Sequence, residues 1–281
     1  MTLTISWMNW IFSEPLKVEK VTVAIADLPT SLRGTKLVQL SDLHYDRQQL
    51  RENILADAIE AANQAEPDLV VLTGDYVTNS PTPIYLLARR LKYLESRHGI
   101  YAILGNHDLA WRHSKATITQ ALTKIGVKVL WNAIAYPFGA QLPLVGLADF
   151  WSGDFNPGPV LNQIDPKTPR IVLSHNPDTA EILQRWRVDL QLSGHTHGGQ
   201  IVIPGIGPAP ALLKTLRKYI PKSVQPWIPY LKVCSKVTKH WEWSEGLHSI
   251  GKNQLYTNRG LGTYWPGRLF CPPEVTVITL N

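Results

Sequence analysis

The chain has 281 residues, 44% of them hydrophobic and 18% charged, ordinary proportions for a globular protein large enough for a full α/β core. Two cysteines, Cys234 and Cys271, exclude a disulfide framework and a thiolate metal site, and fit free thiols in a reducing compartment. The formal charge of +6 is local: residues 205–241 hold Lys214, Arg217, Lys218, Lys222, Lys232, Lys236 and Lys239 with no Asp or Glu, so the remainder is close to neutral.

In chain order, an apolar segment comes first, at residues 1–15, with no charged side chain through Phe12. It lacks the basic region of a signal peptide and reads as a segment packed on the domain or as an interfacial anchor. Strand-like apolar runs follow at 21–26, 36–40, 69–72, 100–104, 142–147, 170–173 and 188–192, and again at 254–257 and 275–280. Between them, 50–64, 84–97, 114–125 and 178–186 carry helical spacing, with Leu50, Ile54, Ala58 and Ala61 on one face of the first. Asp178, directly after Asn176-Pro177, is a start signal for the last helix. No run reaches the roughly 20 apolar residues that span a membrane. This alternation predicts an α/β fold, one domain over 1–281 with an insertion at about 205–250 rich in Pro, Trp and Lys.

Metal-binding residue types stand directly after the strand runs. Asp42-Leu43-His44 follows 36–40, Gly74-Asp75 follows 69–72, and Gly105-Asn106-His107-Asp108 follows 100–104. Ser174-His175-Asn176 follows 170–173, and Gly194-His195-Thr196-His197 follows 188–192. In open α/β sheets such positions gather at the carboxyl ends of the strands. Carboxylate, amide and imidazole donors without sulfur suit Mn, Fe, Zn or Mg. Each motif alone is weak, because an Asp-x-His can be a capped turn and a lone histidine is commonly structural. Their order, and the placement of five of the nine histidines within them, points to two neighbouring ions and hydrolysis of a phosphate ester.

These motifs, with Tyr256-Thr257-Asn258-Arg259-Gly260-Leu261-Gly262 near the end, resemble the calcineurin-like metallophosphoesterase family, and within it a bacterial membrane-associated subgroup. Some members of that wider group hydrolyse the pyrophosphate of UDP-diacylglucosamine. The resemblance implies two packed mixed β-sheets flanked by helices. It implies one ion held by Asp42, His44, Asp75 and His197, a second held by Asp75, Asn106, His175 and His195, and Mn as the favoured metal. Asp75 would bridge the two. His107 would serve the leaving group as general acid or electrostatic stabiliser, with Asp108 either orienting its ring or capping the next helical turn. Many members carry a second Asp where this chain has Thr78, which predicts a less basic and less firmly oriented His107.

The insertion bears on the substrate. Leu212, Leu213, Leu216, Tyr219 and Ile220 share one helical face opposite Lys214, Arg217 and Lys218, with Trp227 beyond. Cations mixed with aromatic rings suit an anionic membrane surface, which makes Lys214, Arg217, Lys218 and Trp227 candidate membrane contacts. The alternative is a helix whose apolar face packs on the core. Nucleic acid is disfavoured as a partner, because the apolar stripe would be wasted on a phosphate backbone. Arg259 and Arg268 are candidates for a substrate phosphate or for ordinary salt bridges. The expectation is a phosphoesterase cleaving phosphoester or pyrophosphate bonds of a lipid-linked or membrane-proximal substrate, placed in the cytoplasm at the inner face of the membrane. A soluble nucleotide phosphodiesterase or phosphoprotein phosphatase is the enzymatic alternative. A non-catalytic metal-binding scaffold is the alternative of another class.

Overall fold

Apolar runs without polar alternation make strands that need cover on both faces. The computed structural model describes residues 14–46, 49–217, 219–225 and 234–281, and its strands have that cover. The first part gives β1 (Lys17–Val23), β2 (Lys36–Leu40), α1 (Glu52–Gln64), β3 (Leu69–Leu72), α2 (Ile84–Leu91), β4 (Ile100–Ala102) and α3 (Ser114–Lys124). Next come β5 (Lys128–Val129), β6 (Ala133–Ala135), β7 (Leu144–Gly146), α4 (Gly158–Leu161), β8 (Ile171–Leu173), α5 (Thr179–Leu183) and β9 (Leu190–Ser193). The last part holds β10 (Val202–Ile203), β11 (Gly207–Pro208), α6 (Ala209–Leu216), α7 (Cys234–Val237), β12 (Gly246–Ile250), β13 (Asn253–Thr257) and β14 (Glu274–Leu280).

Two six-stranded mixed sheets result, ordered β1-β14-β2-β3-β4-β5 and β12-β13-β9-β8-β7-β6. Within the first, β2, β3 and β4 run parallel; within the second, β7, β8, β9 and β13 do. Successive residues of one strand serve different layers. Val38 and Leu40 meet α1, α2 and α3 through Leu55, Leu87 and Ile118, while Leu37 faces Leu173 and Leu192 of the other sheet. Val145 and Val172 on the outer face of the second sheet pack with Val160 and Leu183. The layers are therefore helix, sheet, sheet, helix, as the sequence led us to expect. One polar link crosses the seam: buried Gln39 donates to Thr73 Oγ1 and to the Ser193 carbonyl, both at 2.9 Å.

The differences from expectation have local causes. β1 lies earlier than 21–26 because it takes its register from β14, Lys17 opposite Glu274 through Val23 opposite Leu280. As an edge strand it tolerates the charges of Lys17, Glu19 and Lys20. α2 ends at Leu91, short of 97, where the Asn63 side chain donates to the Tyr93 carbonyl and accepts from Glu95 N. α5 covers only 179–183, since Asn253 Nδ2 takes the carbonyls of Leu183 and Trp186, each at 3.1 Å. Residues 246–250, assigned from sequence to the insertion, form β12 at the edge of the second sheet. Apart from Glu14 and Pro15, the expected N-terminal segment lies outside the described residues, as do Lys218 and Trp227.

Gln39→Ala strips a partner from two buried groups and is expected to destabilise the metal-free protein by about 1–3 kcal/mol. Urea unfolding at constant m-value is the measurement, and an unchanged midpoint would refute the link.

Candidate metal centre

The carboxyl ends of five parallel strands deliver the site: β2 leads to Asp42 and His44, β3 to Asp75, β4 to Asn106 and His107. From the second sheet, β8 leads to His175 and β9 to His195 and His197. The loops continue the strand pairing, with Asp42 N donating to Gly74 O and His44 N to Asp75 O, both at 2.9 Å. His195 N donates to both oxygens of Asp42, at 3.0 and 2.9 Å, which locks one sheet's loop to the other's. Close approach makes Gly105 and Gly194 necessary. A Cβ at Gly105 would overlap the Asp75 carboxylate, and one at Gly194 would overlap Ser41 Oγ and Asp42 Oδ2.

Two donor groups form. Asp42, His44 and His197 place ligand atoms within 4.8 Å of one another, and so do Asp75, His175 and His195. Asp75 Oδ2 lies between them, 3.1 Å from His175 Nε2 and 3.6 Å from His44 Nε2. Outer partners fix which nitrogen of each ring points inward, because a carbonyl can only accept. His175 Nδ1 donates to Thr73 O (2.7 Å), His197 Nδ1 to Gly262 O (3.2 Å) and His195 Nε2 to Val237 O (2.8 Å). Asn106 Oδ1 and His195 Nδ1 are then buried with no hydrogen-bond partner among the described residues. Such orphaned lone pairs are costly unless something occupies them, so the residues fit a second cation.

The electrostatics agree. Burial pushes His44 down to about 3 and His195 to about 4, keeping both rings neutral and able to ligate. Burial, reinforced by the charge of Asp75, pushes Asp42 up to about 6. Burial would also lower His175, but the carboxylates of Asp75, Asp42 and Asp149 outweigh it and hold His175 well above the usual range. Asp149 itself is raised by burial.

A family model described as calcineurin-like phosphoesterase matches residues 35–199, a span that holds every one of these donors. The chain belongs to this family. It is similar to phosphodiesterase YaeI of Escherichia coli, 32% identical over 274 residues that make up 96% of this chain and 90% of that one. It is as similar to the metallophosphoesterase YkuE of Bacillus subtilis, 32% identical over 96% of this chain and 88% of the other. The UDP-2,3-diacylglucosamine pyrophosphatase LpxG of Chlamydia muridarum is 28% identical, with 98% and 92% covered. The protein is thus a metallophosphoesterase with two candidate metal sites.

Six of the seven expected ligands fall into the two donor groups, and Asn106 lines the same cavity. His107 stands beside them, its ring edge-on to His44 with centroids 4.9 Å apart. Its Nδ1 pairs with the Thr78 carbonyl at 3.0 Å, so the backbone at position 78 orients a ring that was expected to be less firmly held without an Asp side chain there. The Thr78 hydroxyl lies instead 3.4 Å from His44 Nδ1. Asp108 does not reach the His107 ring. Its carboxylate accepts from the amides of Gly105, Asp75 and Tyr76 at 2.8–2.9 Å and braces the turn that carries Asp75.

Arg259 and Arg268, read from sequence as contacts for a substrate phosphate or as ordinary salt bridges, are taken up by internal partners, and neither lines the cavity at the donor groups. Both are buried: Arg259 is ringed by Glu19, Glu245 and Glu274, and Arg268 donates to the carbonyls of Arg259, Gly260, Gly262 and Cys271. These arginines shape the 259–262 loop, whose Gly262 N donates to Asp42 O at 2.7 Å. Lys214 Nζ also turns inward, to the Lys239 carbonyl at 2.8 Å. Tyr264, Trp151 and Asp149 escaped the sequence reading. The Tyr264 hydroxyl is 3.0 Å from His44 Nδ1, and the Trp151 ring lies 4.7 Å from that of His195. Neither stands in a motif, and only the long-range fold brings them in.

The pKa directions set a pH dependence. A raised His175 carries a proton near neutral pH that a cation must displace, and below about 6 Asp42 gains another. Affinity for Mn2+ should therefore rise with pH from 5 to 8, with protons released on binding. Calorimetry in buffers of different ionisation enthalpy measures both, and a pH-independent affinity would contradict the assignment.

Proposed function

We propose that the protein hydrolyses a phosphoester or pyrophosphate bond of a lipid-linked or membrane-proximal substrate, of which UDP-diacylglucosamine is an example. The observation that carries this reading is a cavity of about 610 Å³ that joins the donor groups to apolar walls. Its lining combines Asp75, Asn106, His107, His195 and His197 with the apolar Ile201, Pro210, Leu213, Val237 and Trp265. A phosphate held at the donors has its substituent directed along those walls, where an acyl chain loses water-exposed apolar surface. Leu216 at the end of α6, with Ile206 and Tyr219 on either side of that helix in sequence, are 43%, 67% and 80% exposed, an apolar surface suited to a bilayer or to lipid. Among the described residues no helix is long and apolar enough to cross a membrane.

In this reading Asp42, His44 and His197 hold one divalent cation, Asn106, His175 and His195 the other, and Asp75 both, with Mn favoured by the oxygen and nitrogen donors. When bound, such a pair polarises a phosphoryl oxygen and lowers the pKa of water. His107 acts beside it. With Nδ1 donating to Thr78 O, its Nε2 is the nitrogen available to a leaving oxygen, as proton donor or electrostatic partner. Asp75 also accepts from His107 N at 2.9 Å, which ties that residue to the centre. A decayed site usually loses a bridging carboxylate or an imidazole, so the two donor groups argue against the scaffold alternative.

Hydrolysis of UDP-diacylglucosamine by the Mn2+-loaded protein, followed by mass spectrometry of the lipid product, tests the proposal. Asp75→Asn should fall to the level of metal-free protein, and wild type should float with phosphatidylglycerol vesicles. Faster turnover of water-soluble nucleotide diesters, together with no flotation, would favour the soluble phosphodiesterase instead.

A further inference from the structure

His195 leads out of the metal centre into the insertion. Its Nδ1 is buried without a partner, while its Nε2 meets the carbonyl of Val237, the last residue of α7. A carboxylate from another element holds that carbonyl in place. Asp178 directly precedes α5, yet its side chain accepts nothing from that helix. Instead Oδ1 accepts from Thr238 Oγ1 (2.7 Å) and His240 N (3.0 Å), and Oδ2 from Lys239 N (2.7 Å). The helix start read from the sequence at Asp178 is a dock for the segment that leaves α7. Glu181, three residues on, adds contacts to Lys239 and His240 at 2.7 and 3.4 Å. Those pairs are exposed and contribute little. The three bonds to Asp178 are charge-assisted, and Thr238 is buried, so they carry the docking.

We propose that Asp178 is a positioning residue for the second metal site. By fixing residues 238–240 it presents the Val237 carbonyl to His195, keeps the proton on Nε2, and leaves Nδ1 as the donor grouped with Asp75 and His175. Without the dock the ring is free to rotate or to take the other tautomer, and either change removes a ligand. The inference rests on the reading of His195 as a ligand. Losing an outer partner of a metal-bound histidine costs roughly 10–100-fold in metal affinity.

The test is Mn2+ titration of the metal-free full chain by calorimetry, with the second site assigned through His195→Ala. Histidine tautomers are read from 15N spectra of the Zn2+-loaded protein. In Asp178→Ala the second-site affinity should fall by about tenfold or more, the first site should hold its affinity, and the His195 Nε2–H signal should shift or broaden. Asp178→Asn keeps one acceptor oxygen and should fall between. Should Asp178→Ala fail to fold, Thr238→Val removes one of the three bonds and should give a smaller loss at the same site. Equal second-site affinity with an unchanged His195 signal, in either folded variant, overturns the positioning role. A wild type that binds one ion, or two that survive His195→Ala, overturns instead the reading of His195 as a ligand.

Discussion

Five of the seven candidate ligands are carried on backbone that opposes its own conformation. Asp42, His44, Asp75, His195 and His197 have φ of 50°, 44°, 55°, 73° and 53°, in the left-handed region where a side chain costs about 1–2 kcal/mol. Five such residues amount to about 5–10 kcal/mol, comparable with the net stability of a whole domain. The conformation is what the site requires. It turns the chain within a residue, so that Asp42 and His44 both reach the metal position while Leu43 between them packs in the helix-side core. The strain persists because other contacts over-determine it. Asp108 gathers three amides of the neighbouring turns, Asp42 accepts His195 N, and Gly262 N reaches Asp42 O.

Charge adds to that strain. Two carboxylates and four imidazoles crowd the inner end of the cavity, with Asp42, His44 and His175 fully buried. Without a cation the groups adjust among themselves: Asp42 moves up, His175 takes a proton from the field of Asp75, and His44, His195 and His197 stay neutral. A divalent ion bound there would replace that proton and satisfy the orphaned Asn106 and His195 atoms together. Ligand geometry fixed before binding leaves little to reorganise afterwards, so binding free energy offsets strain already present.

Much of this was legible in the sequence. β2 and β3 match residue for residue the runs read from it, since strands buried on both faces are largely apolar, Gln39 being the one buried polar side chain within these two. The strand-end rule then brought the candidate ligands to one rim, because it depends only on chain order and on parallel pairing. Where sequence reading failed, a distant side chain intervened. Asn63 and Asn253 end helices whose own periodicity continues, and neither stands within the helix it stops. Arg259 and Arg268 sit in a glycine-rich loop that looks exposed, yet three glutamates and a ring of carbonyls enclose them. Thr78 was read by its side chain, whereas its carbonyl makes the contact to His107, and every residue type has a carbonyl.

The insertion shows the same separation between backbone and side chain. Leu213, Lys236 and Val237 wall the cavity with side chains, while the carbonyl of Val237 serves His195. Lys214, expected to face a membrane, spends its ammonium on the Lys239 carbonyl and ties α6 to the segment after α7. Substituting a side chain on the wall changes which substituent fits, yet leaves the hydrogen bond to His195 in place. Moving the backbone of the segment changes both together. Residues that select a substrate can therefore vary freely only while the path of the chain through 237–240 is held, and Asp178 holds it from outside the insertion.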